Sequence, residues 1–150
     1  PALIGAAGAA ANLGHVGGAV IFGRFKSASG PSLLTAGLAL AASGYFGLSV
    51  SGHLYVSVVS AVCASLGAGI MLPTLLAWTM RILPPVFRGR GTGIWTGTFF
   101  LGQFFAPIIA VALEGAVGGL DRLVAVYGGL ALIGAMVAFI VARKQGLPAA

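Results

Sequence analysis

The stretch Arg88–Leu113, RGRGTGIWTGTFFLGQFFAPIIAVAL, decides how this chain folds. It opens with a basic segment, and positions 91–113 then contain no Asp, Glu, Lys or Arg. A membrane helix needs roughly 20 consecutive, mostly apolar residues. The stretch therefore predicts a helix that crosses a bilayer, with positive charge at its start.

The composition of the whole chain points the same way. Of its 150 residues, 59% are hydrophobic and 7% are charged, whereas roughly a quarter of a soluble domain is charged. So little charge cannot cover a globule with a solvated surface, so lipid is the expected solvent and partner of this chain. The net charge of +6 does not indicate nucleic acid, because the basic residues sit in short gaps between apolar runs.

Five apolar runs predict an all-α membrane protein, a bundle of five transmembrane helices in a single membrane domain, 1–150. The spans are expected at about 2–23, 31–50, 54–83, 91–113 and 123–142. Ser29 or Gly30 should cap the second span, with Pro31 in its first turn. The outer loop before the fifth span is expected at 114–119.

The basic residues favour one side of the membrane. Alternate loops hold seven of the eight, namely Arg24, Lys26, Arg81, Arg88, Arg90, Arg143 and Lys144. Because cytoplasmic loops carry such an excess, we expect the C-terminus in the cytoplasm and the N-terminus outside. Arg24, Lys26, Arg88 and Arg90 are then topology-setting residues of cytoplasmic loops in a cell inner membrane.

The start of the chain favours a fragment. The chain begins with Pro1, no charged segment precedes the first run, and an odd number of spans begins outside. We expect the C-terminal piece of a longer protein, whose N-terminal half is missing.

Glycine spacing predicts close helix contacts. Gly14-xxx-Gly18 lies on the first run and Gly93-xxx-Gly97 on the fourth. Small residues at this spacing let membrane helices approach closely, either as fixed packing or as a moving, gate-like contact. Cys63, the single cysteine, is expected to be a small apolar residue inside a span.

Two polar residues share one face of the first run. Asn12 and His15 are three residues apart, and an unpaired amide or imidazole in hydrocarbon is costly. They are interpreted either as partners in an interhelical hydrogen bond or as lining of a substrate cavity.

A second polar stripe runs along the fourth span. Thr96, Phe99 and Gln103 lie on one helical face. Gln103 is at about the same depth as Asn12, so the two amides are candidates for one midplane cavity, with a helix-to-helix hydrogen bond as the alternative. Thr96 is a weaker candidate, because a membrane threonine often bonds its own backbone.

The third run carries a predicted kink at Gly67, Gly69 and Pro73. Proline removes one backbone hydrogen bond, so a bend and a gating role are expected there. Trp78 and Trp95 are read either as interfacial anchors or as members of these inner faces.

Nothing indicates an enzyme. The sequence contains no P-loop, HExxH or GxSxG motif. We therefore predict no catalytic residues, no metal site and no cofactor.

The order of motifs resembles the C-terminal half of the major facilitator superfamily. The matching pieces are a basic segment after the first run, GxGxxxP in the third, an RGxGxG block, an LGxxxxP block and a terminal basic pair. They stand at Gly18–Lys26, Gly67–Pro73, Arg88–Gly93, Leu101–Pro107 and Arg143–Lys144. The acidic residue usual in the family's basic loop is absent from the first of these pieces.

The resemblance implies that the five runs are helices eight to twelve of a twelve-helix transporter. The first and fourth runs would then line the cavity, the third would bend, and the second and fifth would mainly face lipid. The implied function is secondary transport of a small solute by alternating access. The rival hypothesis is a structural or assembly subunit of a polytopic membrane complex.

Overall fold

The computed structural model describes residues 2–25 and 27–146, with side chains for all of these except 2–4, 6–7 and 145–146. It confirms the all-α class: in the described part there are five long α-helices and one short 3-10 helix, and no strand. The α-helices are α1 (Ala2–Phe25), α2 (Gly30–Ser49), α3 (Leu54–Ile82), α4 (Arg88–Val117) and α5 (Leu120–Gly146), and the 3-10 helix is Pro85–Phe87.

Within residues 2–25 and 27–146, four helical segments are long and apolar enough to cross a membrane. They are α2, α3, α5 and the combined segment Pro85–Val117. The helix α1 has 24 residues, the length of a span, and its role as a fifth span stays a prediction.

The cationic helix ends differ from the predicted loops. α1 continues through Arg24, and α4 begins at Arg88, so that Arg88 and Arg90 lie in its first turn. The interruption between α3 and α4 is short because Pro84 and Pro85 end one helix without preventing the next. Arginine is a good helix former, so the basic residues extend the helices. Lys26 lies outside the described residues.

The predicted start of α2 is confirmed. The Ser29 side chain caps the helix by accepting a hydrogen bond of 3.3 Å from the backbone N–H of Ser32. Pro31 occupies the first turn, where its missing N–H removes no hydrogen bond from the helix.

The turn between α4 and α5 is tighter than the predicted 114–119 loop. α4 runs on to Val117, and Gly118 and Gly119 both take positive φ, at 84° and 124°. Their N–H groups both bond the Glu114 carbonyl, at 3.1 and 3.0 Å. Only glycine takes this left-handed conformation without strain, so two residues suffice for the connection.

The helix α3 is the centre of the packing, with α1 on one side and α2 on the other. A Cβ on Gly18 would collide with the backbone of Leu66 and Gly69, and a Cβ on Gly67 would collide with the Gly37 carbonyl. The glycines at 67 and 69 therefore serve opposite faces of α3.

The α2 helix departs from the expected lipid-facing role. It lies between α3 and α5, and seven of its residues are buried. They are Pro31, Leu33, Leu34, Gly37, Ala41, Ala42 and Gly44. A face of small residues allows two neighbours to approach it at once, which is why α2 is an inner helix of this bundle.

Contacts along the helices fix their directions. Gly14 meets Val62 and Gly18 meets Gly69, so α1 and α3 are parallel. Gly30 meets Trp78 while Gly44 meets Ser60, so α2 is antiparallel to α3. The aromatic pair Tyr45–Tyr127 and the contact of Leu38 with Gly134 make α5 antiparallel to α2.

The helix α4 is the loosest of the five. None of its residues is buried, and it has only slight contact with α3 and α5. A Cβ on Gly93 or Gly97 would meet nothing within 4 Å. The Gly14-xxx-Gly18 pattern of α1 thus packs against α3. No described residue packs against the Gly93-xxx-Gly97 pattern of α4.

Candidate functional site

A cleft of about 390 Å³ lies between α1, α3 and α4. We call it the central cleft. Its lining combines one residue of α1 with four of α3 and four of α4: His15, Ala68, Met71, Leu72, Leu75, Trp95, Phe99, Phe100 and Gln103. Its volume falls in the range of small-molecule sites.

The α4 wall of the central cleft is aromatic. The rings of Trp95 and Phe99 are stacked, with centroids 5.5 Å apart and planes 3° from parallel. Phe100 meets Phe99 edge-on, at 5.6 Å and 74°. The spacing of Trp95, Phe99 and Gln103 at four-residue intervals places an amide one turn beyond the stacked rings.

The α3 wall also borders a second cavity of about 290 Å³. The two cavities share His15, Leu72 and Trp95, and the second is also lined by Gly69 and Pro73. The residues of the predicted kink therefore separate: Gly69 and Pro73 adjoin the cleft, whereas Gly67 packs on α2.

The α1 wall contributes His15, but the structure does not bring Asn12 into the cleft. The Asn12 amide nitrogen donates a 3.1 Å hydrogen bond to the Gly8 carbonyl of its own helix. The lining includes Phe99 and Gln103 from the predicted stripe of α4, but not Thr96. Thr92, on the same stripe, bonds the Arg88 carbonyl at 2.8 Å.

The described lining of the central cleft carries no carboxylate, ammonium or guanidinium group. Its hydrogen-bonding side chains are the His15 imidazole, the Trp95 indole N–H and the Gln103 amide, which come from α1 and α4. Within residues 2–25 and 27–146, no group of three or more His, Cys, Asp or Glu could hold a metal ion.

Proline adds backbone acceptors beside the cleft. Pro73 and Pro107 lie inside α3 and α4 and have no N–H. An α-helical N–H normally bonds the carbonyl four residues earlier. The carbonyls of Gly69 and Gln103 therefore lose their usual donor; Gln103 lines the central cleft and Gly69 lines the second cavity.

A larger cavity, of about 610 Å³, lies between α2, α4 and α5. Tyr45 and Tyr127 line it together with small and aliphatic residues of α4. It contains neither the amide nor the imidazole, and it does not adjoin Pro73. The central cleft is therefore the better candidate for a solute site.

Sequence reasoning missed part of the cleft lining. The sequence does not distinguish an anchor from an inner position for Trp95, and it does not identify Leu72 or Phe100 as lining residues. The four-residue spacing from Trp95 to Phe99 was a usable signal. Leu72 and Phe100 had no such signal, because an apolar residue in a span looks the same towards lipid and towards a cavity.

Helices of this length and apolar character, packed through glycines around a cleft with few polar groups, define a multi-pass membrane protein of the transporter class. Residues 1–149 match the profile of the Major Facilitator Superfamily. The chain belongs to that superfamily. Comparisons with curated proteins and with solved structures found no match.

Proposed function

We propose that this chain is one helical bundle of a secondary transporter that moves a small solute by alternating access. The central cleft is its substrate cavity. The observation that supports this most is the meeting of His15 from α1 and Gln103 from α4 in one cleft, beside the helix that contains Pro73. Transporters of this superfamily place substrate at the midplane, between bundles that rock against each other.

The exposed apolar side chains of α4 support a second helical bundle as the partner of this helix. Large apolar side chains along this helix, such as Ile94, Leu101 and Phe104, are more than half exposed. No residue of α4 is buried in this chain. The proposal is that the N-terminal half of the transporter supplies the opposite wall of the cavity.

The orientation is part of the same proposal. The helix directions gather Arg24, Arg81, Arg88 and Arg143 at one end of the bundle, because α1, α3 and α5 end there and α4 begins there. Such an excess of positive charge favours the cytoplasmic side. The C-terminus is then cytoplasmic, in a cell inner membrane.

The test is uptake into proteoliposomes. The complete gene product, the 150-residue chain and empty liposomes are compared under imposed proton or sodium gradients. Radiolabelled sugars, organic acids, peptides and aromatic drugs are the solutes. The proposal expects gradient-dependent, saturable uptake of one class by the complete product, and none by the chain alone.

Two results would contradict it. The absence of gradient-dependent uptake of every class by a folded complete product would remove the transport function. Full saturable uptake by the 150-residue chain alone would remove the division into two bundles.

A further inference from the structure

We infer that the central cleft binds a planar aromatic solute that has no formal charge and carries one hydrogen-bond donor, such as a phenol. This inference rests on the proposed function, since it takes the cleft to be the substrate cavity. It names the class of solute, which the fold and the family leave open.

The aromatic part is recognised by the wall of α4. Trp95 and Phe99 form two parallel rings, and Phe100 stands nearly at right angles to Phe99. Aromatic rings prefer offset-stacked and edge-to-face partners at centroid separations of about 4.5–7 Å. A flat ring placed in this corner can meet both kinds of surface at once.

The facing wall of α3 adapts to such a ring. Met71 contributes a thioether and Leu72 a branched aliphatic side chain. A thioether is flexible and makes favourable contacts with aromatic rings. The two walls together suit a flat, apolar body better than a hydrated polyol such as a sugar.

The charge of the solute follows from the lining. The described lining has no Asp, Glu, Lys or Arg to pair with an ion, and its single ionisable side chain is the His15 imidazole. Burying an ion without a partner costs far more than burying a paired neutral group. A carboxylate or sulfonate on the same ring system is therefore disfavoured.

The hydrogen-bond donor of the solute is inferred from the acceptors that α4 presents at the cleft. The Gln103 side chain offers a carbonyl oxygen, and the backbone carbonyl of Gln103 lacks an intrahelical donor because of Pro107. A hydroxyl on the solute supplies the proton that these acceptors lack, whereas an ether does not.

The experiment measures binding by equilibrium dialysis of the complete gene product in nanodiscs, with empty nanodiscs subtracted for partition into lipid. Four probes share one fused two-ring carbon skeleton. They are 2-naphthol, 2-methoxynaphthalene without the donor, decahydro-2-naphthol without the aromatic rings, and 2-naphthoate with a negative charge. We expect saturable binding of 2-naphthol that is about tenfold tighter than that of each other probe, as the loss of a buried hydrogen bond or a ring contact implies.

Two variants test whether 2-naphthol binds in the central cleft. Phe99→Ala is expected to weaken 2-naphthol binding by about fivefold, while Phe104→Ala is the matched control. Phe104 is on the same helix but lies outside the cleft lining and is 65% exposed. Circular dichroism confirms that both variants keep the helical content of the parent chain.

The outcomes separate this inference from the proposed function. No saturable binding of 2-naphthol, no preference over the other three probes, or equal effects of Phe99→Ala and Phe104→Ala would overturn the inference and leave transport of another solute class open. Selective binding of 2-naphthol without any uptake by the complete product would leave the cleft assigned and remove the transport function.

Discussion

At the scale of single residues, glycine decides how closely α1 approaches α3. A Cβ on Gly69 would overlap the His15 backbone, and a Cβ on Gly18 would overlap the backbone of Leu66. His15 is also a lining residue of the central cleft. The same close approach therefore packs two helices and holds the imidazole at the cleft.

Substituting Gly69 tests this approach. Gly69→Ala is expected to destabilise the protein by about 1–3 kcal/mol, the usual range for overpacking. Gly93→Ala is the matched control, because its Cβ meets nothing within 4 Å, and it should be neutral or stabilising by up to about 1 kcal/mol through helix propensity. Thermal unfolding in detergent measures both, and equal stability of the two variants would contradict the account.

A prediction about the site concerns Gln103. In the complete transporter, Gln103→Ala should weaken substrate affinity while leaving the amount of protein in the membrane nearly unchanged. The reason is that the side chain lines the cleft on a helix with no buried residue. We expect a KM raised by about 5- to 10-fold, the effect of one lost hydrogen bond.

The measurement is uptake kinetics beside a quantitative immunoblot. Unchanged KM at normal abundance would count against a cavity role for Gln103. A loss of protein that accounts for the whole loss of uptake would assign it to packing instead.

The polar residues show how far sequence reasoning reaches at this scale. Gln103 was selected by its depth and stripe, and the structure places it in the cleft. Asn12 was selected by the same criteria, yet it bonds the Gly8 carbonyl of its own helix. Helical periodicity gives a direction around the axis, but it does not say which direction faces a neighbouring helix.

At the scale of helices, α3 combines a packing contact with a weak point. Pro73 cannot donate to the Gly69 carbonyl, and Gly69 is the residue in contact with α1. The helix is continuous across Pro73. A bend at this position would move α3 against α1 at the edge of the cleft. The gating role of Pro73 remains our prediction.

Restoring the hydrogen bond tests that role. Pro73→Ala in the complete transporter is expected to lower turnover several-fold with little change in KM, because a stiffer helix slows the conformational step and leaves the lining intact. Gly97→Ala provides a control, since it stiffens α4 where a Cβ meets nothing within 4 Å. Wild-type turnover of the Pro73→Ala protein would remove the gating argument.

The helices themselves were largely predictable, because long apolar runs and proline caps are local features. The α2 cap at Ser29 and the proline in its first turn were expected and are present. The predicted end of α1 at 23 is too early and the predicted start of α4 at 91 is too late, because arginine, which the prediction assigns to loops, also continues a helix. The inner position of α2 depends on which neighbours meet it, and that is not a local property.

At the scale of the whole molecule, the helices alternate in direction and share one cationic end. The contacts of α2 with α3 and α5 fix that alternation, and the ends of α1, α3 and α5 carry Arg24, Arg81 and Arg143. The sequence predicted this arrangement from charge alone. It could not predict the loose position of α4, because the number of neighbours that a helix meets is not a local property of its sequence.

The measurement that tests the central claim most directly is cysteine labelling from each side of sealed vesicles. Cys63 is first replaced by Ala, and single cysteines are introduced by Ser27→Cys, Gly89→Cys and Gly52→Cys. All three positions are exposed, and a Cβ at 52 or 89 meets nothing within 4 Å. The account predicts that the cysteines at 27 and 89 react with an impermeant maleimide from the cytoplasmic face and that the cysteine at 52 reacts from the opposite face. Labelling at 27 and 89 from opposite faces would contradict it.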